Sequence, residues 1–194
     1  MHWFWADSHF YHKNIVLGES EWTDKSGCRP FNTREEHDNY QLGIVNASVK
    51  KDDILWHLGD FSFGGEARIA EFRKRINCET VHLVLGNHDH HIRKNAGVKY
   101  GFASVQDYLE LEIDGTQIVL CHYPIESWVN MERGAYHLHG HVHGNIRPFQ
   151  GRAEPSYEAR GLLSLDLVRQ LPKAHEKRHT HLAGGNKFGT GDKS

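Results

Sequence analysis

Five short clusters in this chain place carboxylate, amide and imidazole side chains at spacings suited to divalent cations: Asp7-Ser8-His9, Gly59-Asp60, Gly86-Asn87-His88-Asp89, His122 and Gly140-His141-Val142-His143. Oxygen and nitrogen donors without thiolate suit manganese, iron, zinc, cobalt or nickel better than calcium. Two cations about 3.5 to 4 Å apart need a ligand that both can share, and a carboxylate serves because its charge offsets two positive centres. Asp60, the single carboxylate of its cluster, is the expected bridge. Such a cation pair lowers the pKa of a shared water and polarises phosphoryl oxygens, which is the chemistry of phosphoester hydrolysis. Taken singly, Asp7, Asp60 and Asn87 read as turn residues and His122 as a satisfied core histidine. The ordered set of five is what calls for one explanation.

Each cluster follows an apolar, strand-like run, at 2–6, 54–58, 81–85, 118–121 and 135–139. The donors are therefore expected on loops along the carboxyl edge of one sheet, where α/β proteins gather ligand sites. Between the runs, 32–49 reads as a helix: Thr33 and Glu36 have capping-box spacing, and Tyr40, Ile44 and Ala47 recur on one face. Gly64-Gly65 opens a second helix over 66–76 with Ile69, Phe72 and Ile76 inward. Strand, ligand loop and helix in succession predict the right-handed crossover of a layered α/β fold. Further on, 108–113 and 116–121 flank Asp114-Gly115, a hairpin whose second strand delivers His122. The later part is thus antiparallel or mixed, and 162–168 reads as a last strand. Two segments read as loops: 17–31 near the mouth of the site, and 144–161, solvated and carrying Arg147, Arg152 and Arg160. His137 and His139 share a strand face by period-2 spacing.

With 194 residues the chain fits one domain able to bury a core without a disulfide. The expected division is a single domain over 1–171 followed by a polar, flexible tail over 172–194, where five Lys or Arg stand against two acids and apolar residues are nearly lacking. A net charge of −2 gives no bulk attraction to nucleic acid or anionic membrane. Three cysteines without C-x-x-C spacing suit a reducing compartment. No run approaches the ~20 apolar residues of a membrane span. The apolar start Trp3-Phe4-Trp5 lacks a basic leader and runs straight into Asp7, so cytoplasmic residence is expected.

In order and content the five clusters resemble the calcineurin-like metallophosphoesterases, whose pattern is D-x-H, G-D, G-N-H-[DE], a lone His and G-H-x-H. The resemblance spans about residues 3–143 without a substitution. Within that family the run Asp7 to Ile15 and the later Arg29-Pro30-Phe31 are similar to small, capless, single-domain bacterial and phage members.

The resemblance implies a metallophosphatase-like α/β/β/α sandwich with mixed sheets and a metal site at the carboxyl edge. It implies two divalent cations, one held by Asp7, His9, His143 and Asp60, the other by Asn87, His122, His141 and Asp60. Manganese is the expected metal, with iron, zinc, nickel, cobalt and magnesium as alternatives. It places His88 beside the leaving-group oxygen as an acid, with Asp89 orienting it. His12, Asn14 and Arg29 are candidate substrate contacts, Arg29 as a bidentate phosphate clamp. The expected activity is hydrolysis of phosphodiesters by a metal-activated hydroxide, with small nucleotides, including cyclic ones, leading. The alternatives are a phosphomonoesterase, a nuclease on DNA or RNA, and a non-catalytic scaffold with the same fold. Near-zero net charge weighs against a nucleic-acid partner, and the intact clusters weigh against the scaffold.

Overall fold

A computed structural model of the chain describes residues 1–94 and 100–174. The expected tail lies outside the described residues beyond Ala174. Within them, Pro172 accepts the Gly151 backbone N–H at 2.7 Å and Ala174 is buried.

Two mixed sheets stack face to face. The first takes β1 (His2–Trp5), β2 (Ile54–His57), β3 (Thr80–Val84), β4 (Ser104–Gln106) and, later in the chain, β9 (Leu163–Ser164), in the order β4-β3-β2-β1-β9. The second takes β5 (Tyr108–Ile113), β6 (Thr116–Cys121), β7 (Tyr136–Leu138) and β8 (Arg152–Ala153) in sequence order. All pairings in the first sheet are parallel except β1 with β9, and in the second only β5 with β6 is antiparallel. The clusters expected along the edge of one sheet are therefore divided between the two sheets of the expected sandwich, because the hairpin at Asp114-Gly115 starts a new sheet instead of extending the old one. Both hairpin residues have positive φ, 48° and 73°, as a tight turn matched to strand twist requires.

Side-chain alternation assigns each face. Phe4, Trp56, Leu58 and Val84 meet Ile118, Leu120, Tyr136 and Leu138 between the sheets. Fully burying a side chain such as Phe4 or Leu120 contributes about 2 kcal/mol. Trp5, Leu55, Val81 and Leu83 point the other way, against α1 (Arg34–Ser48) and α2 (Gly65–Arg75). The outer face of the second sheet is covered by Trp128, Ala135 and Ala174, near a 3-10 turn at Met131–Arg133.

Two local expectations change. The face of α1 that turns inward is His37, Asp38, Gln41, Leu42 and Val45, while Tyr40 is exposed. The polar part of that face braces a buried arginine described below. Over 162–168, the strand lasts two residues, and Ser164 caps α4 (Leu165–Arg169) by accepting the Leu167 N–H at 3.3 Å. Leu165 and Val168 are buried on one side of that helix, a spacing that serves a helical turn as well as a strand.

Candidate metal centre

Register brings the clusters together. Trp5, His57 and Leu83 are lateral partners in the first sheet and Leu120 and Leu138 in the second, so all five clusters emerge at one end of the sandwich. The Asp7 N–H reaches Gly59 O at 3.1 Å and the Gly140 N–H reaches His122 O at 2.9 Å. Glycine recurs in the clusters for steric reasons. A Cβ on Gly86 would stand 2.2 Å from Asp60 Oδ1, and one on Gly140 would stand 2.5 Å from Asp7 Oδ2.

The backbone turns so sharply that Asp7 (φ 53°), His9 (47°), Asp60 (55°), His141 (77°) and His143 (49°) all occupy the left-handed region. Each such non-glycine residue costs on the order of 1–3 kcal/mol, which the surrounding hydrogen bonds must offset. Those bonds are present. The Asp7 carboxylate accepts the His141 N–H at 3.1 Å through both oxygens, and Asp60 Oδ1 accepts the His88 N–H at 2.9 Å.

On one side of Asp60, His9 Nε2 lies 3.1 Å from His143 Nε2, 3.8 Å from Asp7 Oδ1 and 3.7 Å from Asp60 Oδ2. On the other side, Asn87 Oδ1 lies 3.1 Å from His122 Nε2 and 2.9 Å from His141 Nδ1, and His122 Nε2 lies 3.6 Å from Asp60 Oδ2. His122 gives its Nδ1–H to Leu58 O at 2.7 Å, which leaves the Nε2 lone pair facing inward. Burial pushes the Asp7 carboxyl well above the usual carboxylate range, and the neighbouring Asp60 charge adds to it. Burial, followed by the Arg29 charge, holds the His9 ring well below its ordinary value. Imidazoles and crowded carboxylates converging without thiolate fit a divalent cation. The triads Asp7, His9, His143 and Asp7, Asp60, His122 each bring their donor atoms close enough to hold one.

The remaining expected residues divide. His88 stands at the mouth, its side chain 43% exposed, with Nε2 4.0 Å from Asp60 Oδ2. Its ring lies 4.9 Å from Phe63 and 6.2 Å from His12. His12 stacks on Phe63, and burial together with the His88 charge lowers its pKa to about 4. Asn14 is not brought to the centre, since its Oδ1 accepts the Glu21 N–H within the 17–31 loop.

Two roles need correction. Asp89 does not orient the His88 ring. It lies buried behind the site, where Oδ2 accepts the Asp60 and Gly86 N–H groups at 2.8 Å each and Oδ1 accepts the Phe61 N–H at 2.9 Å. Arg29 is no phosphate clamp, being 1% exposed with its guanidinium already engaged. It donates to the backbone oxygens of Asp7 (2.7 Å) and Ser8 (3.3 Å), to both Glu158 oxygens and to His37 Nε2. His37 in turn gives Nδ1–H to Asp38, whose carboxylate accepts the Tyr11 N–H.

Glu158 was invisible at the level of sequence spacing. Its Oε1 accepts His143 Nδ1–H at 2.9 Å, so His143 Nε2 faces the centre. Burial acts to raise the Glu158 pKa, but the bond to His143 and the Arg29 charge bring it down to about 2. The 144–161 segment is solvated only in part: residues 147–150 are exposed as expected, but Ala153, Glu154 and Ser156 are buried, and Pro155 O accepts the Ala6 N–H at 2.9 Å. Arg152 turns toward the Ile125 and Arg147 carbonyls, away from the centre.

Residues 36–151 match the calcineurin-like phosphoesterase superfamily domain, a stretch that includes every cluster after Asp7-Ser8-His9. The gene 66 protein of Mycobacterium phage D29 is 28% identical, over 74% of this chain and 79% of its own length. An uncharacterized protein of Methanocaldococcus jannaschii is 29% identical, over 86% of this chain and 88% of its own. Among solved structures, a protein of unknown function from Aquifex aeolicus shares the fold with a TM-score of 0.58 at 24% identity, covering 81% of this chain and 90% of that one.

Proposed function

Because the chain belongs to the calcineurin-like phosphoesterase superfamily and is a metal-dependent hydrolase of phosphoesters, we propose that it works through two cations, manganese above all, on phosphodiesters of small nucleotides. Asp7, His9 and His143 would hold one cation and Asn87, His122 and His141 the other, with Asp60 shared. The observation that carries this reading is Asp60 Oδ2, which has His9 Nε2 at 3.7 Å, His122 Nε2 at 3.6 Å and His88 Nε2 at 4.0 Å. One oxygen is thus approached by imidazoles from three separate clusters.

When bound, the cations supply a hydrolytic nucleophile near neutral pH and offset phosphoryl charge. His88, exposed at the mouth, donates a proton to the departing oxygen. Asp89 fixes the loop that presents Asp60, and Glu158 aims His143 through Nδ1. The exposure of His88 and His141 leaves room for a group on each side of the phosphoryl centre, which supports the diester reading. Among the described residues no helix is long and apolar enough to cross a membrane.

The test is hydrolysis of a nitrophenyl phosphodiester and the matching monoester by chelated protein before and after manganese is restored. Activity lost on chelation and regained with manganese, faster on the diester, is the expected result. Turnover that survives complete metal removal would overturn the mechanism, and faster monoester hydrolysis would overturn the diester preference. Asp60→Asn should abolish turnover and weaken binding of both cations.

A further inference from the structure

One flank of the mouth is lined by aromatic rings that phosphoester hydrolysis itself does not need. His12 and Phe63 are stacked with centroids 3.9 Å apart and planes 12° apart. Phe63 is 4.9 Å from His88, and Trp22 stands edge-on to His12 at 5.8 Å. Trp22 is 43% exposed although it is among the largest apolar surfaces a fold can bury. Its loop is tied in place, since the Trp22 N–H reaches Ser20 Oγ at 3.2 Å and the Glu21 N–H reaches Asn14 Oδ1 at 3.1 Å. The opposite flank carries another exposed ring, Tyr123, 4.8 Å from His141 and 5.1 Å from His122. The two flanks differ chemically, because His88 borders the His12 and Phe63 side.

We propose that Phe63, His12 and Trp22 form a stacking subsite for a planar heterocycle, a nucleobase carried by the leaving group of the substrate. This rests on the phosphodiesterase reading above. The proton donor marks the leaving-group side, and the rings begin directly beside it. The steps of 6.2 Å from His88 to His12 and 5.8 Å from His12 to Trp22 span a sugar and its base, whereas a methyl leaving group beside His88 would not extend to Trp22. Stacking on a π-face tolerates every base, so the subsite favours nucleosides over alkyl groups while discriminating weakly among bases.

The test titrates the metal-loaded full chain with adenosine 5′-monophosphate and with methyl phosphate, read by calorimetry and by tryptophan fluorescence. Stacking on one exposed ring corresponds to about a tenfold preference for the nucleotide. Trp22→Ala and Trp22→Leu should bring the ratio of the two affinities close to one, and Trp22→Phe should keep most of it. Trp22→Leu retains apolar bulk, so loss of the preference there reports the π-face and not local collapse. Equal affinity of the wild-type protein for both probes, or an equal weakening of both in the variants, overturns the subsite. If the preference depends on Trp22 but the protein cleaves no phosphodiester, the subsite stands and the phosphodiesterase reading falls. If cleavage proceeds and the Trp22 variants leave the preference unmoved, the reverse holds.

Discussion

The Asp89 carboxylate receives the Asp60 backbone N–H at 2.8 Å, so the acid that follows His88 in sequence holds the residue at the middle of the centre and not its own neighbour. Together with the Gly86 and Phe61 N–H groups it offsets the left-handed turn at Asp60, φ 55°.

Asp89→Asn therefore turns one acceptor oxygen into a donor facing a backbone N–H. The variant should lose about 2–4 kcal/mol of folding stability, and cation affinity should fall with it. Denaturant titration checks the first and calorimetric manganese titration the second. A variant as stable as the wild type would remove Asp89 from this role.

Glu158→Gln keeps the shape of the side chain but loses the charge that pairs Arg29 and aims His143. Cation affinity is expected to fall about 10- to 100-fold, the usual effect of removing the partner of a ligating histidine. The circular dichroism spectrum should be retained. Undiminished affinity would show that His143 needs no such partner.

His88→Ala should leave both cations and the fold intact while kcat falls by roughly 10²- to 10⁴-fold. The deficit should shrink with a good leaving group, because a nitrophenolate departs with little protonation and an alkoxide does not. A loss that is the same for both leaving groups would assign His88 to phosphate binding or to ordering the centre.

His137 offers a pH test remote from the centre. Its Nδ1–H meets Val119 O at 3.1 Å and its Nε2 accepts the Ile125 N–H at 3.2 Å, an arrangement that only the neutral ring can satisfy. Burial holds its pKa at about 4. An unfolded chain protonates the ring near 6.5. The stability held above that value should therefore fall as acid is added, until about pH 4, by up to about 1.4 kcal/mol per pH unit. His137→Gln should flatten the slope in that window, measured by denaturant melts at a series of pH values. An unchanged slope would place the proton uptake elsewhere.

The donors were legible in the sequence because each directly follows a strand, and strand register then fixes where a loop begins. The convergence of Asp7, Asp60, Asn87, His122, His141 and His143 needed no more than that, while their proposed division between two cations came from the family resemblance. Glu158 was not legible, since it follows no periodic run and reaches His143 through a buried excursion of the chain. Arg29 was misread because a guanidinium beside a proline looks the same from sequence whether it faces solvent or lies beneath the Asp7 loop. The inward face of α1 was missed for a related reason: His37 and Asp38 are buried for their hydrogen bonds, and apolar periodicity is blind to them. The sandwich itself came from the family resemblance, whereas the division of the clusters between its two sheets depended on where the hairpin packs, which its turn residues do not encode.

The carboxylate that joins Arg29 to His143 also sets an order of events during synthesis. Every proposed donor, from Asp7 to His143, leaves the ribosome before the Glu158 carboxylate that aims His143 and pairs with Arg29, which follows His143 by 15 residues. A nascent chain arrested in that interval carries all the imidazoles and carboxylates but lacks the brace beneath the first loop and the β9 partner of β1. Firm cation capture thus waits for the last part of the sandwich, and a ribosome-bound fragment ending before residue 158 should hold manganese far more weakly than one released from beyond it.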